Sequence, residues 1–121
     1  MSEKLLSVCV ISFNEEANIG RCLESVRWAD EIIVVDSHST DRTVEIARRY
    51  TEKVILNRWP GYVAQKNFAL EKATGKWVLW LDSDEELSEG LREEIQRTIR
   101  EEDTGAGFEM PRRTFYLGRW I

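Results

Sequence analysis

Cysteine, proline and histidine are all scarce in this chain of 121 residues: two, two and one. Cys9 and Cys22 sit inside apolar patterns and share no metal-ligand spacing, which argues against a disulfide framework or a zinc site and leaves two buried thiols. The lone His38 lies in a Ser-rich stretch and reads as an exposed loop residue. With no Gly-x-Ser-x-Gly elbow either, a Ser-His-Asp hydrolase is excluded. Positive charge is also in deficit, 17 Lys and Arg against 22 Asp and Glu for a net of −5, so the bulk charge recruits neither nucleic acid nor an acidic membrane. Long hydrophobic runs are missing as well. The stretches Leu5 to Phe13 and Trp77 to Leu81 fall far short of the roughly 20 residues that span a bilayer. The start, Met1 to Lys4, leads straight into a strand-like run with no cleavage region, so the chain is expected to be cytoplasmic.

What is present is a globular composition, 42% apolar and 32% charged, enough for one core and one domain over residues 1–121. Leu5 to Phe13 is almost continuous in apolar and small residues, as in a parallel strand covered on both faces. It ends at Asn14, which is placed to cap a helix whose Ile19, Cys22, Leu23 and Val26 form one stripe. The unit recurs. Glu31 to Asp36 predicts a second buried strand, followed by the polar Ser37 to Asp41 and a helix through Val44, Ala47 and Tyr50. Lys53 to Asn57 predicts a third strand, leading through Pro60 and Gly61 to a helix near Val63 to Lys72 that Gly75 closes as a C-cap. A fourth strand, Lys76 to Leu81, stops at Asp82, Asp84 and Glu85; a last helix after Ser88 carries Leu91, Ile95 and Ile99 on one face, and Gly105 and Gly107 end it. Alternation of this kind predicts an α/β fold, a mostly parallel doubly wound sheet with helices on both faces. Ligands then collect at the carboxyl ends of the strands, where Asn14, Asp36 and Asp82 stand.

Asp82 and Asp84 place two carboxylates around a short turn, able to face one hard cation, Mg²⁺ or Mn²⁺. The plainer reading is that these acids solvate and cap a helix start. From Asp82 to Asp103 there are ten acids against three bases. Two like unit charges 4 Å apart repel by roughly 4 kcal/mol at an effective dielectric of 20, so a bare diphosphate is rejected unless a divalent cation bridges the two. Asp36 reads either as an acceptor for a ribose hydroxyl or base N–H, or as part of the polar network ahead of the next helix. Lys66 reads as a cation for phosphates or as a solvated lysine, and Glu15 as a first-turn acid. No Gly-x-Gly-x-x-Gly follows the first strand, and Ala73 to Lys76 lacks the upstream glycine of a P-loop, which excludes dinucleotide dehydrogenases and P-loop NTPases.

Taken together, Val8 to Glu16, Ile32 to Asp41, Gln65 to Leu70 and Trp77 to Glu85 resemble, in order and spacing, the family 2 glycosyltransferases of GT-A fold, and most of all the bacterial lipopolysaccharide-core glucosyltransferases. The resemblance implies a Rossmann-like half that binds a nucleotide-sugar, usually a UDP-sugar, with inversion at the anomeric carbon, in the synthesis of cell-envelope glycan or lipopolysaccharide. It implies that Ser12, Phe13 and Glu15 line the nucleotide pocket and that Asp36 holds the base or ribose. Lys66 would guide the diphosphate without the bidentate fork of the arginine many members carry, and His38 stands where most have glycine or a small residue. In the Asp-x-Asp motif, Asp82 would face ribose and metal and Asp84 would be the principal ligand of Mg²⁺ or Mn²⁺. The acceptor half, for a glycan or lipid-linked hydroxyl, and the catalytic base are expected downstream of Ile121, so residues 1–121 alone are expected to transfer sugar poorly.

Two other classes remain open on the residues. A receiver-like, Mg²⁺-dependent signalling module would need its acid pair after the first strand, where Asn14, Glu15 and Glu16 stand instead. A non-catalytic interaction domain would use the tail, where Phe115, Tyr116, Leu117, Trp120 and Ile121 interleave with Arg112, Arg113 and Arg119, for a homodimer or a membrane-surface contact.

Overall fold

Period-two burial in the strands decides the architecture of the computed structural model, which describes residues 5–103 and 113–116. In β1 (Leu6–Ser12), Leu6, Val8 and Val10 enter one core and Cys9 the other. In β2 (Glu31–Asp36) the division is Ile32 and Val34 against Ile33 and Val35. In β4 (Trp77–Asp82) it is Trp77, Leu79 and Leu81 against Val78 and Trp80. Strands that are apolar on both sides must be covered on both sides. Helices α1 (Ile19–Glu24), α2 (Thr43–Ala47) and α4 (Glu89–Asp103) cover the first face through Ile19, Leu23, Ala47, Ile95 and Ile99. Helix α3 (Tyr62–Lys72) covers the second through Ala69.

With β3 (Val54–Leu56) and β5 (Arg113–Tyr116) the sheet has the order β3-β2-β1-β4-β5, and every pairing is parallel. The doubly wound α/β expectation is therefore met. Successive strands run outward from β1 through β2 to β3, and the chain then returns to β4 on the other side of β1. The switch point lies between β1 and β4, and in open α/β sheets ligand crevices form there, outside the carboxyl ends of the strands.

Four local expectations change. Asn14 does not cap α1; it takes a left-handed backbone with φ 50°, and α1 starts only at Ile19, with Asn18 in the cap position and no side-chain cap bond. Helix α3 begins at Tyr62 and ends at an extended Ala73, so Gly75 is not its cap. Gly75 instead lies against β1, where a Cβ would sit 2.7 Å from Ser7 Oγ and 2.9 Å from Ser7 N, a close approach that only glycine permits. The stretch Arg113–Tyr116, read from sequence as part of an interaction tail, forms an edge strand in register with β4. Gly105, Gly107, Arg112, Leu117, Arg119, Trp120 and Ile121 lie outside the described residues. Ser88 does start α4, its Oγ accepting the Leu91 N–H at 3.1 Å.

At the amino end of the sheet, Glu31 is buried and fully engaged. Its carboxylate accepts the Ser7 hydroxyl at 2.6 Å and the Thr74 N–H at 2.9 Å, and it pairs with Lys53. Gly75 N–H completes the group by donating to Ser7 Oγ at 2.8 Å. Burial pushes the Glu31 pKa up, but the bonds from Lys53, Ser7 and Thr74 outweigh it and bring it down to about 2. This cluster ties β1, β2 and the approach to β4 together at the end of the sheet away from the crevice.

Candidate functional site

The crevice is built first of hydrogen bonds between two loops about 25 residues apart in sequence. Three successive backbone N–H groups after β1 are consumed by the loop after β2. Asn14 N–H donates to Ser39 Oγ at 2.7 Å, Glu15 N–H to Thr43 Oγ1 at 2.8 Å, and Glu16 N–H to Asp41 Oδ2 at 3.2 Å. Asn14 Oδ1 answers by accepting the Thr40 N–H at 2.8 Å. Partial desolvation raises the Asp41 pKa, but the Thr43 hydroxyl and N–H and the Glu16 N–H hold it below the usual carboxylate range. Loop N–H groups of this kind could have cradled a phosphate. Here they are spent on structure.

Asp36 lies at the centre of this stitching with no exposed surface. Its Oδ1 accepts the hydroxyls of Ser12 and Ser39, each at 2.7 Å, and its Oδ2 accepts the Ser39 N–H at 2.7 Å. Of the two readings the sequence left open, the polar network describes these contacts. Ser12 is buried beside Asp36, whereas Phe13 is 55% exposed at the mouth of the crevice. His38, exposed in the same loop, has φ 59°, which explains why glycine suits its position. We expect His38→Val to lower the unfolding free energy by about 1–2 kcal/mol, because a β-branched residue resists the left-handed region, while His38→Gly does not; urea titration of both variants checks this.

Across the switch point, Asp82 and Asp84 form the second wall. Glu85 locks the turn that carries them, its Oε1 accepting the Asp82 N–H at 3.0 Å and its own N–H donating to the Asp82 carbonyl at 2.9 Å. The Ser83 hydroxyl donates to Glu15 Oε2 at 3.3 Å, so the loops after β1 and β4 meet although 68 residues separate them. Cys22 registers the resulting field. Burial first, then the charges of Glu85, Asp82, Asp84 and Glu15, push its thiol up to about 12, so it stays protonated and donates to the Asp82 carbonyl.

No three His, Cys, Asp or Glu side chains form a ready metal cage among the described residues. Glu85 and Glu15 are engaged by Asp82 N–H and Ser83, which leaves Asp82, partly exposed, and Asp84, exposed, as the available carboxylates. Two carboxylates completed by substrate phosphates is how Mg²⁺-type cations are commonly held, so the donor set fits Mg²⁺ or Mn²⁺.

Lys66 belongs to the other face. Its Nζ lies 5.5 Å from the centre of the Trp80 ring, and Trp80 and Asp82, two residues apart in β4, share one side of the pleat. Ser39 and Asp41 figured in the sequence only within the polar stretch Ser37 to Asp41, and Thr43 and Gln65 were given no role of their own. The first three belong to a Ser/Thr/Asp cluster of the type that bonds to nearby backbone, the one signal that could have found them. Gln65 is fully buried, accepting from Asn57 Nδ2 at 2.7 Å and donating to Ser37 Oγ at 3.1 Å. A cavity of about 500 Å³ between α1 and α4, lined by Glu24, Ser25, Glu86, Glu89 and Arg92 among others, contains none of the expected site residues. No helix among the described residues is long and apolar enough to cross a membrane.

Comparison with known proteins matches this arrangement to a family. The lipopolysaccharide core biosynthesis glycosyltransferase LpsC of Rhizobium meliloti is 36% identical over 118 residues, covering 93% of this chain and 44% of LpsC. Among solved structures, S. aureus TarS 1-349 in complex with UDP-GlcNAc has a TM-score of 0.66 at 27% identity, over 88% of this chain and 37% of that one. Glucosyl-3-phosphoglycerate synthase from Mycobacterium tuberculosis, in complex with Mn²⁺ and UDP-glucose, has a TM-score of 0.59 at 30% identity, over 67% and 33%. The chain spans about a third to under a half of the length of the curated relatives it matches. The model of glycosyl transferase family 2 matches residues 7–118, a span that takes in the loops, the acidic turn and the strands except the first residue of β1, and the chain belongs to this family.

Proposed function

We propose that residues 1–121 are the donor-binding part of an inverting, metal-dependent glycosyltransferase that takes a UDP-sugar. Its acceptor is a hydroxyl of a cell-envelope glycan or lipopolysaccharide. The observation that carries this reading is how the crevice divides its polar groups. The loop N–H groups after β1 are committed to the loop after β2, while two carboxylates at the end of β4 stay available. An anion cannot enter against those carboxylates alone; a diphosphate bridged by a cation can. When bound, Mg²⁺ or Mn²⁺ supplies charge stabilisation for the departing nucleoside diphosphate. Asp84 and Asp82 hold it.

The remaining roles belong to this chain's own residues. Exposed Phe13 offers a face for the base, and Asp36 sets the ribose side of the pocket by fixing Ser12 and Ser39. Glu15 braces the acidic turn through Ser83, and Lys66 faces the diphosphate from α3. On this reading the base, the acceptor site and most of the transfer activity belong to the portion by which the relatives exceed this chain, and the enzyme works in the cytoplasm or at the inner face of the membrane. UDP-bound TarS and Mn²⁺-bound glucosyl-3-phosphoglycerate synthase support the donor class.

Thermal shift with a panel of nucleoside diphosphates, with and without Mn²⁺, tests this. Ligand at 100 times its Kd adds about 2.7 kcal/mol of stability, a rise of several degrees in Tm. We expect that rise for UDP with Mn²⁺ and its loss on chelation. An equal rise without metal, or none with it, overturns the reading.

A further inference from the structure

We propose that Ser37 is a specificity-determining residue of the donor site: its hydroxyl, whose oxygen accepts from the buried Gln65, donates to a carbonyl oxygen of the uracil base. The inference rests on the UDP-sugar reading and deepens it. Asp36 has no exposed surface and already accepts from Ser12 and Ser39, so contact with the base falls to a neighbour. Ser37 is the next residue and is half-buried. Its N–H donates to the Ser12 carbonyl at 3.0 Å, so the ladder between β1 and β2 runs one residue past Asp36. Ser12 is followed in turn by Phe13, whose exposed ring is the face offered to the base. Ser37 and Phe13 therefore leave adjacent parallel strands at the same end of the sheet.

The hydroxyls around Ser37 are spent inside the protein. Those of Ser12 and Ser39 donate to Asp36, that of Thr40 to Asn14 Oδ1 and that of Thr43 to Asp41. Ser37 Oγ accepts from Gln65 Nε2 at 3.1 Å and donates to none of the described residues. The orientation of the Gln65 amide makes this informative. Gln65 is fully buried, and its Nε2 lies 3.4 Å from the Asn57 carbonyl, which can only accept, so the nitrogen end of the amide faces Ser37. Its Oε1 is satisfied by Asn57 Nδ2 at 2.7 Å, and the Asn57 N–H is tied to the Asp36 carbonyl at 2.8 Å. A hydroxyl oxygen approached by an amide N–H turns its proton away from that amide, and the incoming bond strengthens it as a donor. The edge of uracil, with two carbonyl oxygens, is rich in the acceptors such a proton needs.

The test is calorimetry, in the presence of Mn²⁺, of UDP, 2-thio-UDP, 4-thio-UDP and inorganic pyrophosphate on the wild-type chain, Ser37→Ala and Ser37→Thr. Sulfur is a weak acceptor, so one of the two thio analogues is expected to bind the wild-type chain about 5- to 10-fold more weakly than UDP, the effect of one neutral hydrogen bond. Ser37→Ala should lose the same factor for UDP, bind pyrophosphate unchanged and no longer distinguish that analogue from UDP. Ser37→Thr keeps the hydroxyl and should bind UDP within about 2-fold of wild type. A Ser37→Ala variant that binds UDP as wild type does, that loses pyrophosphate equally or that still penalises the analogue overturns the proposal and leaves the donor reading standing. So does a Ser37→Thr variant as weak as Ser37→Ala, or a wild-type chain that binds both analogues as tightly as UDP. A wild-type chain that binds no UDP overturns both.

Discussion

Asp84→Ala is expected to reduce Mn²⁺-dependent UDP affinity by at least about 100-fold, a loss of roughly 2.7 kcal/mol, while leaving the fold intact. Asp84 is exposed and its side chain has no hydrogen bond or ion pair among the described residues; Glu85 holds the turn through the Asp82 backbone. Surface substitutions of that kind fall within about 0.5 kcal/mol of wild type in stability. Binding is different, because Asp82 and Asp84 are the carboxylates that the crevice leaves available among the described residues, and the removal of one leaves a single anchor. Glu15 and Glu85 cannot substitute without breaking their bonds to Ser83 and to Asp82 N–H. Glu86→Ala serves as the control, since Glu86 is also an exposed carboxylate near the turn but pairs at 3.5 Å with Arg21 on the surface, an interaction of little energetic weight. Calorimetry should show Glu86→Ala binding as wild type does. Unchanged UDP affinity in Asp84→Ala would remove the metal from the proposal.

Glu31→Gln is expected to have the largest effect on stability, and its sign is legible in the titration. The folded-state pKa of about 2 lies below the ordinary 4.5. Protons therefore bind the unfolded chain more readily, so the stabilisation is complete above pH 4.5 and is lost as pH falls from there toward 2. A difference of that size corresponds to on the order of 3 kcal/mol. Glutamine keeps the shape but not the charge that Lys53, Ser7 and Thr74 address. Urea unfolding at pH 7 should place Glu31→Gln about 3 kcal/mol below wild type, and near pH 2.5 the two curves should approach each other. A gap that persists undiminished at acid pH would mean that packing, not charge, makes the difference.

Much of the fold was legible because its signals are local. Strands with apolar residues on both faces, helical stripes such as Leu91, Ile95 and Ile99, and polar residues where strands stop are features of a few neighbouring residues, and each reappears in the structure. Local signals failed where a distant partner took over. Asn14 has the chemistry of a cap, but Thr40 and Ser39 claim it first. Gly75 follows a helix, yet it is needed against Ser7, 68 residues away. In Arg113–Tyr116 the aromatic and basic residues hid an edge strand, since such a strand is recognised by its neighbour β4 more than by its own composition.

From the sequence alone came the alternation of β and α units, the acids that end β4 and the family resemblance, because burial periodicity and motif spacing are written in consecutive residues. Only the tertiary structure decided which polar groups at the crevice are spent and which remain available. Asp36 is saturated by Ser12 and Ser39, the first loop's N–H groups go to the second, and Lys66 rests on Trp80. Hydrogen bonds and ring contacts depend on positions in space, and parallel strands bring their partners from tens of residues away.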